Sequence, residues 1–231
     1  MLSKRNLVIA IDGPAGSGKS TTARLVADRL GLLHIDTGAM YRAVTLKVLE
    51  RGLSPNDSTA VSDLIDSTTV ELKRWDSSLR VLLDGTDVTD RIRDPDVTRA
   101  VSAVSRIRRV REAMVERQRA MSKSQGVVLE GRDIGTVVFP DADLKIFLVA
   151  TLDARAMRRE RELAGKGIQV DRSGLMKDLE ERDKLDSTRK ESPLRKASDA
   201  IELDTSGLSI QQQVDFVVDK ARQILDRMGA T

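Results

Sequence analysis

Leu7-Val8-Ile9-Ala10-Ile11-Asp12-Gly13-Pro14-Ala15-Gly16-Ser17-Gly18-Lys19-Ser20 is the stretch that decides the fold. Its first five residues are an apolar run of strand length. Gly13 to Ser20 spell G-x-x-x-x-G-K-S, and the residues that follow keep helical spacing up to Gly31. A strand, a glycine-rich turn and a helix in that order are the context a phosphate-binding P-loop requires. The glycines let the backbone curl until its N–H groups point at phosphate oxygens, and the helix N-terminus adds its positive end. In this reading Lys19 reaches the β- and γ-phosphates of a nucleoside triphosphate and Ser20 ligates Mg²⁺.

Composition narrows the remaining classes. With 40% hydrophobic and 32% charged residues over 231 positions, the chain suits one sizeable α/β domain with insertions or two small domains. Aromatics make up 2%, so the core is expected to be aliphatic, and the stacking platforms used by single-strand nucleic-acid binders are missing. The 39 basic and 36 acidic side chains nearly balance, which argues against a nucleic-acid partner. Without cysteine there are no disulfides, thiolate metal sites or cysteine nucleophiles. No apolar run approaches the ~18 residues of a membrane span. The first strand follows the N-terminus directly, so the expectation is a cytoplasmic protein with no membrane partner. Arginines cluster at 106–111, 155–161 and 182–189, on what are ordinarily solvated helix faces. Near a P-loop, however, guanidinium groups are natural phosphate clamps.

Patterning places the motifs. Strands are expected at 7–12, 32–36, 127–129, 144–150 and 201–204. Helices are expected at 19–30, from 40 to Gly52, from 58 to 65, from 96 to 124, at 153–163 and 173–187, and after the capping box that begins at Ser209. Between them Val70–Arg74 alternates, Asp76-Ser77-Ser78 turns, Leu79–Leu83 is strand-like and Val88 is within reach of a third pairing, which makes a small antiparallel insertion. Strands alternating with helices give an α/β fold with a doubly wound, five-stranded parallel sheet. Ligands should then lie at the carboxyl ends of its strands, where the P-loop, the segment after Asp36 and Gly131-Arg132-Asp133 all sit. The helix at 153–163 is short, charged and followed by Gly165 and Gly167, so it is expected to bury little apolar surface.

The P-loop alone does not separate kinase, GTPase, motor or transporter ATPase. The chain has no Asn-Lys-x-Asp segment for reading guanine, and no strand ends in the Asp-Glu pair of water-activating ATPases. Both absences favour transfer to an organic acceptor. At this point the sequence resembles the bacterial cytidylate kinases among the nucleoside monophosphate kinases. The residues that carry the resemblance are the P-loop, Asp36-Thr37-Gly38-Ala39-Met40-Tyr41-Arg42, Val101-Ser102-Ala103-Val104-Ser105, Val110-Arg111-Glu112, Glu130-Gly131-Arg132-Asp133-Ile134-Gly135-Thr136-Val137-Val138-Phe139-Pro140, Arg182-Asp183 with Asp186 and Arg189, and Ser192-Pro193-Leu194. They run in family order over nearly the whole chain. Thr37 stands where some members carry Ser, and Glu130 where others carry Asp.

The resemblance implies a core of residues 1–36, 113–152 and 173–231, with a monophosphate-binding domain over 37–112 that includes the insertion at about 70–90, and a short helical lid over 153–172. It implies ATP-dependent phosphorylation of CMP and dCMP with Mg²⁺, by a monomer. ATP would lie against Gly13, Pro14, Ala15, Gly16, Ser17, Gly18, Lys19, Ser20 and Thr21. Arg42 and Arg132 would hold the acceptor phosphate, with Thr37 and Tyr41 beside it and Arg189 reaching it. Arg182 and Asp186 would meet the ribose, while Ser102, Arg111 and Asp133 would read the base. Arg155, Arg158 and Arg159 would close over the ATP phosphates and stabilise the transferring group together with Lys19, Arg132 and Arg189. His34, the lone histidine, is read as structural. The Trp75 hairpin tip is given no role.

Two other readings stay open. A P-loop kinase for a small metabolite such as shikimate or gluconate would share the loop, but those chains are typically shorter and lack the insertion and the Ser102, Arg111 and Asp133 set. A non-catalytic nucleotide-binding regulator would call for a basic surface, which the charge balance does not provide.

Overall fold

A computed structural model describes residues 6–75, 78–123, 125–165 and 167–229. The expected turn at Asp76–Ser77, the helix end at Ser124 and Lys166 of the glycine break lie outside the described residues. The chain divides into two compact units, Met1–His34 with Ser122–Thr231, and Ile35–Met121.

The first unit is built on a parallel sheet. Its strands are β1 (Val8–Asp12), β2 (Leu33–Asp36), β6 (Val127–Gly131), β7 (Leu144–Val149) and β8 (Ile201–Asp204), in the order β2-β6-β1-β7-β8. The last two residues of β2 belong to the second unit. Near-continuous apolar runs such as Val127-Val128-Leu129 suit strands that are covered on both faces. Helix α1 (Lys19–Leu30) and helix α8 (Ile210–Gly229) supply Ala23, Val26, Ala27, Val214, Val217, Val218 and Ala221, which close over Ile9, Ile11, Ile146 and Leu148 in an aliphatic core. Gly31 ends α1 in the left-handed conformation at φ +67°, and Ser209 and Gln212 exchange the expected capping-box bonds at the start of α8. Helices α6 (Leu152–Ala164) and α7 (Arg172–Thr188) complete this unit.

The second unit centres on α2 (Thr37–Glu50), which is buried along most of its length. Around it lie α3 (Ser58–Asp66), α4 (Pro95–Ser105), α5 (Arg108–Met121) and an antiparallel sheet of β3 (Val70–Trp75), β4 (Ser78–Leu83) and β5 (Thr86–Asp87). The third pairing thus falls at Thr86–Asp87. Val88 follows it, donating its N–H to the Val81 carbonyl at 2.9 Å.

Two expectations need correction. Helical periodicity from 96 to 124 reads as one helix, yet the chain breaks at Arg106–Ile107 into α4 and α5. Ile107 stays in the apolar interior, which preserves the periodicity across the break. The guanidinium of Arg111 donates to the Ser105 carbonyl at 3.1 Å, satisfying an acceptor at the end of α4. The sequence reading also has no element after Asp133, whereas Ile134–Val138 form a wide helical turn. Among the described residues no helix is long and apolar enough to cross a membrane.

Candidate active site

The loop between β1 and α1 is held open by glycine. A Cβ on Gly13 would lie 2.2 Å from the Leu148 carbonyl oxygen, so no side chain fits there. Gly16 sits at φ +75°, with the Arg155 Cβ 3.1 Å from where its own would be. Lys19 is buried at the start of α1 and donates to the Pro14 carbonyl at 2.7 Å. Burial lowers its pKa to about 7; the charges of Arg132 and Arg182 push the same way, while Glu130 and Asp12 oppose them. An ammonium held so uncomfortably gains more than a solvated one from a polyphosphate.

Ser20 follows Lys19 and donates to Glu130 Oε2 at 2.7 Å, from the end of β6. The other oxygen of Glu130 lies 3.3 Å from His34 Nε2 on β2. Burial raises the Glu130 pKa, but the His34 contact, the Lys19 charge and the Ser20 bond outweigh it and hold the group below the usual glutamate range. A hydroxyl beside an ionised carboxylate is hard oxygen chemistry suited to Mg²⁺. Among the described residues no group of three or more His, Cys, Asp or Glu could hold a metal ion.

Strand register brings the next cluster to the loop. Asp12 pairs with Gly131 across β1 and β6, so Arg132 and Asp133 leave the sheet beside the start of the P-loop. Arg132 donates through Nε to Asp186 of α7 at 2.8 Å. Arg189 lies 3.6 Å from Asp133 and 3.9 Å from Asp186. All four side chains are largely buried. Burial opposes the charge on Asp186, yet Arg132, Arg182 and Arg189 hold its pKa below the ordinary range. Arg189 is the C-cap of α7 rather than part of its last turn, and its Nε donates to the Ser192 carbonyl at 2.6 Å.

The arginine-rich helix α6 is tied to the same loop. Arg155 donates to the Ala15 carbonyl at 3.2 Å and pairs with Asp183 of α7 at 2.5 Å. Arg158 reaches the Gly16 carbonyl at 3.4 Å and bonds both the hydroxyl and the carbonyl of Thr205. Arg159 pairs with Glu162 on its own helix. As expected, α6 buries little apolar surface: its fully buried apolar side chain is Ala156, which packs with Ala15 and Leu179. Thr21, one residue past Ser20, is exposed on α1.

The second unit collects a separate group. Asp36 caps α2 by accepting from the Ala39 N–H, which buries Thr37 at the first helical position. One turn on, Tyr41 lies under the Arg111 guanidinium, 5.3 Å from ring centroid to cation, and Arg42 donates to the Thr98 hydroxyl of α4 at 2.8 Å. Ser102 is partly buried on α4, one turn beyond Thr98. Tyr41, Arg42, Ser102 and Arg111 therefore come from three helices of one unit, while Arg132, Asp133, Arg182, Asp186 and Arg189 come from the other.

Sequence reasoning quoted Asp12 and Asp183 within their motifs but assigned them no role, named Glu130 only as a variation in type, and did not single out Thr205. Asp12 carried a usable signal of its own: it is a carboxylate closing an otherwise apolar strand. Thr205 carried none, since its partners are distant in sequence.

A parallel sheet with this loop, its buried lysine and an arginine–carboxylate cluster at the neighbouring strand end defines a P-loop phosphotransferase. Within that class the chain belongs to the cytidylate kinase family, whose family model matches residues 9–223. It is 49% identical over 215 residues to a cytidylate kinase of Caldicellulosiruptor bescii, covering 93% of this chain and 95% of that one. It is 52% identical over 211 residues to a cytidylate kinase of Pelotomaculum thermopropionicum, covering 91% and 93%. A solved structure of an uncharacterized protein from Eubacterium ventriosum shares the fold alone, with a TM-score of 0.52 at 13% identity over 95% of this chain and 99% of that one.

Proposed function

We propose that this chain transfers the γ-phosphoryl group of ATP to the phosphate of CMP or dCMP. The observation that carries the reading is the buried Arg132–Asp133–Asp186–Arg189 cluster, which strand register sets beside the P-loop. An oxygen of the acceptor phosphate attacks Pγ, the bond from Pγ to the β,γ-bridging oxygen breaks, and ADP leaves as CDP forms. Such a step needs alignment and charge neutralisation more than covalent help. The acceptor phosphate is already ionised, so no general base is required. In this reading the P-loop backbone from Gly13 to Ser20 and the first residue beyond it, Thr21, line the ATP site, and Lys19 meets the charge on the transferring group. Ser20 would hold Mg²⁺, which when bound neutralises the β- and γ-phosphates. Arg42, Arg132 and Arg189 take the acceptor phosphate, with Thr37 and Tyr41 beside Arg42. Arg182 and Asp186 take the ribose.

Ser102, Arg111 and Asp133 read the base. Cytosine offers an amine at C4 with acceptors at N3 and O2, which a carboxylate and donors respectively satisfy. Arg155, Arg158 and Arg159 act on the ATP side, and the segment 153–172 serves as the lid. Arg155 and Arg158 already bond the P-loop carbonyls, so their part in closure is an exchange of partners rather than a long swing. The near-balanced charge supports free nucleotides over a polyanion as substrate. An acceptor panel of CMP, dCMP, UMP, AMP and shikimate with ATP and Mg²⁺ tests the reading. Transfer to CMP and dCMP well above the others is expected, and preferential transfer to shikimate or to none would overturn it.

A further inference from the structure

Asp12 is a buried carboxylate to which the proposed reaction gives no role. It closes β1 immediately before Gly13, in a strand otherwise made of Val, Ile and Ala. Each of its oxygens has a dedicated partner. Oδ1 accepts the Ile134 N–H at 2.9 Å and Oδ2 accepts the Gly135 N–H at 2.8 Å. These are the first two N–H groups of the Ile134–Val138 turn, whose internal bonds begin only with Val137 and Val138 donating to the Asp133 carbonyl. At the far end of the segment Lys145 of β7 donates to the Pro140 carbonyl and to Asp199, while its aliphatic stem packs against Gly135. The run from Arg132 to Pro140 is thus pinned at both ends, by a carboxylate on β1 and an ammonium on β7.

We infer that Asp12 is a positioning residue for the acceptor nucleotide: by holding the Ile134 and Gly135 amides it sets Arg132 and Asp133 in register with the P-loop that begins one residue after it. The inference rests on the reading of Arg132 and Asp133 as acceptor contacts. A carboxylate at this place is costly to keep ionised. Burial pushes its pKa up to about 6 with help from the Asp133 charge, while the two amide bonds and Lys19 pull it down. The charged groups facing it are Asp133 and Lys19; the Lys145 ammonium is engaged by Pro140 and Asp199. An apolar residue would fit a sheet core more cheaply, so two fixed acceptors for one turn are what the carboxylate supplies. Above the titration both oxygens accept. Below it one carries a proton and loses its amide.

The test has two arms. In the first, Asp12→Asn keeps the shape but sets an amide donor against one of the two N–H groups. KM for CMP is expected to rise about tenfold and the CMP-to-UMP preference to narrow, with KM for ATP within about twofold. Equal rises in both KM values, or no change in either, would overturn the positioning role. The second arm uses the unaltered protein without nucleotide, so it survives a variant that fails to fold. The ¹H–¹⁵N resonances of Ile134 and Gly135 should titrate together with a midpoint near 6. Static resonances between pH 5 and 8 would overturn the coupling. If the unaltered protein does not phosphorylate CMP, the acceptor reading itself has failed, and the resonance arm still reports on Asp12 and its turn.

Discussion

Two sets of buried or half-buried arginines, one in each unit, are held in different ways. Beside the P-loop Arg132 is held by Asp186, Arg155 by Asp183, and Arg189 by Asp133 and Asp186, while Arg158 bonds the neutral Thr205 hydroxyl and carbonyl. In the second unit Arg42 donates to the Thr98 hydroxyl, and Arg111 donates to the Ser105 carbonyl and covers the Tyr41 ring, while Arg80, Arg91 and Arg109 pair with carboxylates nearer the surface. A buried ion pair costs its desolvation whether or not it helps, and removing one partner strands the other. A guanidinium on a hydroxyl can be withdrawn with less left behind. If the proposed roles hold, the first arrangement couples folding to function, and the second lets Arg42 be altered with less cost to the fold.

Four substitutions and one control bear on that contrast. The largest effect is expected for Lys19→Ala, which removes the ammonium proposed to meet the charge on the transferring group. Single-turnover transfer should fall by about a hundred- to a thousandfold, with the far-ultraviolet spectrum unchanged because the side chain faces the loop. Near-normal transfer would break the assignment of the loop.

Asp186→Ala should lower stability by about 3–5 kcal/mol, because Arg132 loses its carboxylate and Arg189 one of two in a buried setting. The sign of its pH dependence follows from the depressed pKa of Asp186. The contribution is complete above the unfolded value near 4 and is lost as pH falls through the lower folded value. Urea midpoints measured at pH 7 and pH 3 should therefore differ less in the variant than in the parent.

Asp133→Asn carries the contrast into specificity. A carboxylate accepts from the amine at C4 of cytosine and rejects the carbonyl of uracil, whereas an amide offers uracil a donor. The CMP-to-UMP ratio of kcat/KM should narrow by about tenfold, the equivalent of 1–3 kcal/mol for an unpaired polar contact. An unchanged ratio would move base reading to another residue.

Arg42→Ala is the counterpart in the second unit. KM for CMP should rise, while the lost bond to the Thr98 hydroxyl should lower stability by about 1 kcal/mol. A stability loss as large as that of Asp186→Ala would erase the distinction between the units. The control is Arg24→Ala, which breaks an exposed helical pair with Asp28 at 3.6 Å and should shift stability by under about 0.5 kcal/mol.

Much of this was legible before any coordinates. The strand–loop–helix at 7–30 is local: apolar run, glycines and helix cap lie within a few turns of one another, so their joint meaning survives without tertiary context. The antiparallel insertion is equally local, since strand alternation and turn residues define it. The break between α4 and α5 was not legible, because Ile107 keeps the apolar spacing while the compensating bond comes from the Arg111 side chain, four residues on. The arginines of 155–159 could be read as phosphate clamps only through the P-loop and the resemblance, since by spacing alone they match a solvated face, and the bonds of Arg155 and Arg158 to the loop carbonyls come from tertiary structure.

By itself, then, the sequence determined the P-loop, the alternation of strands and helices, and, through its ordered motifs, the family. Each of these depends on residue type and short spacing, which a linear chain records directly. Tertiary structure alone decided who holds whom. Asp12 meets the amides of residues more than a hundred positions away because β1 and β6 are neighbours in register, and Glu130 meets Ser20 and His34 for the same reason. Hydrogen bonds and ion pairs act over a few ångströms, and separation along the chain does not say which groups come that close.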